Sequence, residues 1–89
     1  MTDLRILIYK EDTLFVGQCI EHDICVQSKD MDQIRRLMAH QVAFYEAHGG
    51  LSQVDPAPKE FEDAWDHTTG DPIPVNLTGN GQAKTKMAA

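Results

Sequence analysis

Between Phe15 and Ser28 the chain reads FVGQCIEHDICVQS, two short apolar runs separated only by the polar triplet Glu21-His22-Asp23. A parallel crossover needs a dozen residues or more, so a connection this short forces the two runs to reverse directly and pair antiparallel. Leu14 to Ile20 is one strand. Ile24 to Ser28 is the next, with Ile24 and Val26 on one face and Cys25 and Gln27 on the other. Upstream, Leu4 to Lys10 (LRILIYK) has the composition of a strand covered at least partly on both faces. Glu11-Asp12-Thr13 joins it to the second run as a hairpin. The expectation is an antiparallel meander of three strands. Gly17, in the middle of the second strand, marks a bulge or a place where another backbone comes close.

A helix follows almost at once. Asp30 is a good N-cap, Gln33 stands three residues on as in a capping box, and Asp32 lies where the helix dipole favours an acid. The spacing predicts a helix over 31–48, with Ile34, Leu37, Met38, Val42, Phe44 and Tyr45 in one broad apolar stripe. Gln41 and His48 fall near the centre of that stripe, so each needs a polar partner or a place in a subunit contact. Gly49-Gly50 supplies the stop. After a connector with two prolines, KEFEDAWDH predicts a short second helix over 59–67, with Phe61, Ala64 and Trp65 as its docking stripe. Ile73, Val75 and Leu77 alternate as in one edge strand, but Pro72 and Pro74 weaken that reading. Residues 68–89 are read as a tail of low structure, mobile from Thr78 onward. The expected fold is therefore α+β. It has an antiparallel sheet of three strands, four if 73–77 joins, with one main helix on one face and a short second helix. Residues 1–67 form its single domain.

Eighty-nine residues bury only about 60–65% of their unfolded surface, so a second copy of the chain would help the core. The formal net charge of −6 and the scattered Lys and Arg argue against a chain that tracks phosphates. No direct DNA binding is expected. No apolar run approaches the roughly 18 residues that cross a bilayer, and Met-Thr-Asp-Leu-Arg does not open a secretory leader. The expected setting is the cytoplasm, with Cys19 and Cys25 reduced.

The run Val16-Gly17-Gln18-Cys19-Ile20-Glu21-His22-Asp23-Ile24, then Gln27-Ser28 and a helix, resembles the HicB-like antitoxin domain. So does the order of elements over about residues 3 to 67, down to Pro56-Ala57-Pro58 and Glu60-Phe61. The resemblance extends to many small bacterial proteins of this type. It implies a partial ribonuclease H fold, self-association, and protein binding without enzymatic activity or cofactor. In toxin–antitoxin pairs such a domain binds and blocks a small basic ribonuclease. The chain departs from the pattern after the helix. Such antitoxins usually carry a C-terminal DNA-binding segment, and this sequence shows a Gly/Asn/Thr/Lys tail instead.

Candidate chemistry is sparse. Cys19, His22 and Cys25 are zinc-ligand types at C-x2-H-x2-C spacing, but they are three where structural zinc takes four, and they straddle two strands and a turn. Small buried cysteines and a turn histidine account for them. Cys19 and Cys25 would meet in a disulfide only if they faced each other. Glu21 and Asp23 could converge on a divalent ion as in a nuclease, but polar turns need no catalytic reason. Cys19 with His40 or His48 lacks an orienting group and an oxyanion hole. No catalytic and no metal residue is assigned. The expected partners are the chain itself, as a homodimer or higher oligomer, and a small basic toxin-like protein, covered by occlusion. Glu11, Asp12, Glu21 and Asp23 are the candidate partner-binding acids. Tyr45, Phe61 and Trp65 are read as either oligomer or core aromatics. The alternatives are an orphan domain of the same fold that associates with itself or binds a small molecule, and a metal-dependent nuclease.

Overall fold

A computed structural model describes residues 3–68, 73–76 and 82–87. Among these residues the protein is α+β, with a mixed sheet and two α-helices. Strands β1 (Asp3–Glu11), β2 (Leu14–Cys19) and β3 (Cys25–Ser28) form the antiparallel meander. The first reversal is tight because Asp12 takes a left-handed conformation, φ 56°, which Asp tolerates better than most residues. Helix α1 (Met31–Ala47) starts where Asp30 accepts the Asp32 N–H at 2.9 Å. It ends where Gly49 and Gly50 take positive φ and the Gly50 N–H reaches the Tyr45 carbonyl. A single 3-10 turn, Leu51–Gln53, leads to α2 (Lys59–His67), for which Pro58 stands at the N-cap.

The sheet is larger than the sequence suggests. Strands β4 (Ile73–Asn76) and β5 (Gln82–Met87) extend it to five strands in the order β3-β2-β1-β5-β4. Not all of them are antiparallel: β5 pairs parallel with β1, from Asp3 opposite Gln82 to Ile8 opposite Met87. Residues 82–87, expected as mobile tail, thus sit beside the central strand. The physical reason is that β5 turns its small residues inward. Ala83 and Thr85 are buried while Lys84 is exposed, so the strand reads as polar although one face is covered. The expected edge strand does form over 73–76. Leu77 and Thr78 lie outside the described residues.

The two helices lie on opposite faces. On one, α1 crosses β2 and β3, lying most closely over β3. Ile34, Met38 and Val42 meet Leu4, Ile6, Ile8, Cys19, Ile24, Val26 and Ala83 there. Gly17 is required by this packing, since a Cβ on it would stand 2.7 Å from Ile34 Cγ2. The close approach is by a helix side chain, not by another backbone. On the other face α2 packs Trp65, with Phe61 and Ala64, on Leu7 and Ile20. The stripe on α1 is narrower than expected. Leu37 and Phe44 remain 37% and 51% exposed, His48 is exposed and Gln41 half-buried. Trp65 belongs to the second cluster, while Phe61 and Tyr45 are half-buried against the second and first clusters respectively.

Candidate functional site

The face of the sheet under α2 carries most of the structured polar chemistry. Strand alternation turns Arg5, Leu7, Tyr9 and Glu11 of β1 to this side, together with Val16 and Gln18 of β2 and Cys25 and Gln27 of β3. Helix α2 covers only part of it. Between the helix and the sheet lies an open groove of about 350 Å³, lined by Leu7, Tyr9, Glu60, Phe61 and Ala64. Tyr9 and Phe61 stack across it, ring centroids 6.4 Å apart. The Tyr9 hydroxyl is held above its ordinary pKa, first by burial and then by the negative charges of Cys25, Glu11 and Glu60. Glu60 of α2 is the acid that lines the groove, and Glu11 stands two residues along β1 from Tyr9 on the same face of the sheet.

Helix α2 is pinned at both flanks. Glu21 accepts from the backbone N–H of Arg5 at 2.7 Å and from its Nε, and Arg5 also reaches Glu62 at 3.8 Å. The hydrogen bond to Glu21 raises the Arg5 pKa and leaves the guanidinium charged. On the other flank Lys86 of β5 donates from Nζ to the carbonyls of Trp65 at 3.1 Å and Thr68 at 3.3 Å. It also lies over the Trp65 ring, 4.8 Å from its centroid. A cation at a helix C-terminus satisfies carbonyls the helix leaves unpaired and complements the dipole.

The four acids expected to act together are placed separately. Glu11 and Asp12 stand at the β1–β2 turn, Glu21 and Asp23 at the β2–β3 turn, at opposite ends of β2 and roughly 17 Å apart by strand rise. Glu21 is half-buried and occupied by Arg5. Asp23 accepts from Gln18 Nε2 at 3.0 Å and gives its own N–H to the Asp55 carbonyl. The carboxylates of Glu21 and Asp23 are therefore drawn to different partners. Exposed acids on α2 were not among the expected residues: Glu60, Glu62, Asp63 and Asp66 face solvent. Alternating acids in EFEDAWD carried that signal, but which side of the sheet the helix would cover has no local trace.

Cys19 and Cys25 sit on opposite faces of the sheet, so neither a shared metal nor a disulfide can be built from them. Cys19 is fully buried, and burial pushes its thiol up to about 11. Cys25 is exposed, with its pKa raised by partial burial and by the charges of Asp23 and Glu11. His22 is held at the turn by a 3.0 Å contact between Nδ1 and the Val54 carbonyl. Among the described residues, no group of three or more His, Cys, Asp and Glu is placed to hold a metal ion. No helix among them is long and apolar enough to cross a membrane.

Comparison with family models, with curated proteins and with solved structures finds no match for this chain. The functional reading therefore rests on the geometry of the groove and its rim.

Proposed function

We propose that this chain is a non-enzymatic protein-binding domain of HicB-like character, which associates with itself and covers the basic surface of a small cytoplasmic partner. The observation that carries this reading is the Tyr9–Phe61 groove with Glu60 in its lining and Glu11 farther along β1 on the same face. An aromatic floor beside carboxylates suits the stem and head of a lysine or arginine from a partner. The apolar methylenes lie on the rings, and the cation gains both the ring faces and the acids. The exposed acids of α2 extend the same electrostatic sign beyond the groove, which steers a basic protein toward it. In this arrangement Glu11 remains a binding residue, Glu60 joins it, and Glu21 serves to hold α2 in place.

The test is capture from extracts of the producing cell with the tagged full chain, followed by mass spectrometry. A small basic protein at one-to-one stoichiometry, lost when Glu11→Lys and Glu60→Lys are combined, supports the reading. Recovery of the chain alone, or of a basic partner unaffected by that pair, overturns it. A second reading, small-molecule binding, draws on the groove volume, which falls at the lower end of the range for ligand sites. A thermal-shift screen of aromatic amines would support it by a stabilisation that Tyr9→Ala removes.

A further inference from the structure

We propose that two copies of this chain join through the free edge of β3, continuing the sheet across a twofold axis that passes through Val26. The inference deepens the self-association part of the reading above.

The first observation is the hydrogen-bond parity of β3. The Cys19 N–H donates to the Ile24 carbonyl at 2.9 Å, and Gln18 stands opposite Cys25. Bonded pairs alternate with non-bonded pairs in an antiparallel ladder, so Gly17/Val26 and Phe15/Ser28 are the next bonded pairs. The N–H and C=O groups of Cys25 and Gln27 therefore point away from β2. Among the described residues no strand flanks β3 there, because it ends the strand order, and Asp55 meets only Asp23, just before the strand begins. Among the described residues no backbone hydrogen bond reaches the Cys25 or Gln27 N–H. Within CVQS there is no proline and no charge, the devices that normally protect an edge.

The second observation lies on α1. This helix lies most closely over β3, at the margin of the sheet. Its flank toward the interior is covered, with Val42 buried and Ala39 half-buried, so the exposed flank is the one turned past the β3 edge. That flank carries Leu37, Gln41, Phe44 and His48 at helical spacing, with no carboxylate, lysine or arginine among them. Phe44 and His48 are stacked, ring centroids 4.4 Å apart. In a chain of net charge −6, an uncharged apolar flank beside an unpaired edge is where a second acidic copy can approach without repulsion.

A second copy fits this edge because the edge is complementary to itself. Rotation about Val26 sets Cys25 opposite Gln27 of the other copy, and each such pair exchanges both backbone bonds. Four hydrogen bonds then join the sheets without disturbing Asp23, whose N–H is already given to Asp55. The same rotation keeps both α1 helices on one face, where their Leu37/Phe44 flanks meet. The far edge, β4, contains Pro74, which has no N–H to offer a neighbour, so the assembly closes at two copies instead of growing into a filament.

The full chain is examined by sedimentation velocity over about 1–100 μM, a range spanning ordinary dimer affinities. Wild type is expected to be a dimer. Gln27→Pro removes an outward N–H without touching the β2 ladder and is expected to raise the dimer Kd about tenfold or more, with an unchanged far-UV spectrum. Leu37→Glu with Phe44→Glu, both exposed, should do the same if Gln27→Pro proves poorly folded. For register, Cys25→Ser/Gln27→Cys mixed with wild type should give a disulfide-linked heterodimer on mild oxidation, since bonded pairs place Cα atoms about 5.5 Å apart. A monomer at 100 μM overturns the proposal, as does a dimer indifferent to these variants. A dimer indifferent to these variants overturns the β3 edge and leaves self-association standing, whereas a monomer overturns both; partner capture from extracts is read separately.

Discussion

The two faces of the sheet are built on different principles. Under α1, Ile34, Met38 and Val42 fill a continuous apolar layer drawn from four strands, and Gly17 is kept bare so that Ile34 can seat. Under α2 the apolar contact is smaller, Trp65 with Phe61 and Ala64 on Leu7 and Ile20, and polar contacts of Arg5, Glu21 and Lys86 are added at its flanks. Dispersion and burial reward a close-packed layer over its whole area, whereas partly exposed ionic contacts contribute little each. The difference teaches that the larger share of apolar packing lies on the α1 face, while the α2 face leaves part of the sheet open.

That contrast can be broken most directly at Met38. Met38→Ala, in the fully packed layer, should cost about 4 kcal/mol, read as a lowered denaturant midpoint in a two-state unfolding curve. Trp65→Ala removes a larger side chain but from a layer with an open groove beside it, where neighbours can collapse. Its cost should lie nearer 3 kcal/mol, at the low end for such truncations. If Trp65→Ala proved the costlier of the two, the division of labour between the faces would be reversed.

Cys19 sharpens the comparison through pH. Its thiol is buried in the α1 layer with a pKa of about 11, against an ordinary value of 9.0. The native state therefore holds its proton where the unfolded chain releases it. Stability from this source is intact below pH 9 and is lost as pH rises toward about 11, an effect of roughly 2–3 kcal/mol. Urea melts at successive pH values should show that decline, and Cys19→Ala should make it shallower, the remainder coming from Tyr9 and Cys25, whose pKa values are also raised. Lys86→Met, which removes the cation capping α2, should cost about 1 kcal/mol and alter Trp65 fluorescence. Glu60→Gln, at the rim of the groove, should change stability by less than about 0.5 kcal/mol, so that any effect on partner capture is separable from folding.

The α1 face was largely legible in the sequence. Short polar turns force a meander, Asp30 and Gly49-Gly50 mark the helix, and Ile34, Met38 and Val42 keep its period. Two exceptions, Leu37 and Phe44, fit the apolar pattern equally well, because periodicity cannot tell a residue over the sheet from one beyond its edge. The α2 face was much less legible. QAKTKM reads as a polar tail, since Ala83 and Thr85 are too small and too mild to advertise burial, and parallel pairing with β1 leaves no local trace. The groove joins Tyr9 to Phe61, residues distant in the chain, and Glu21 looked like a free acid until Arg5 was seen to hold it.

The parallel pairing of β1 with β5 also joins segments that are far apart along the chain. Asp3 finds its neighbour at Gln82, and everything between must be traversed before that contact can form. The meander and α1 can assemble from nearby segments, but the central strand then waits with one margin open. Loop closure over so long a stretch is entropically unfavourable, and contacts of high sequence separation slow folding. During synthesis, the interval before Gln82 to Met87 emerges is one in which the inner edge of β1 stays available to other chains. Until β5 pairs with it, that margin of β1 is a sheet edge, the kind of edge on which other chains can add.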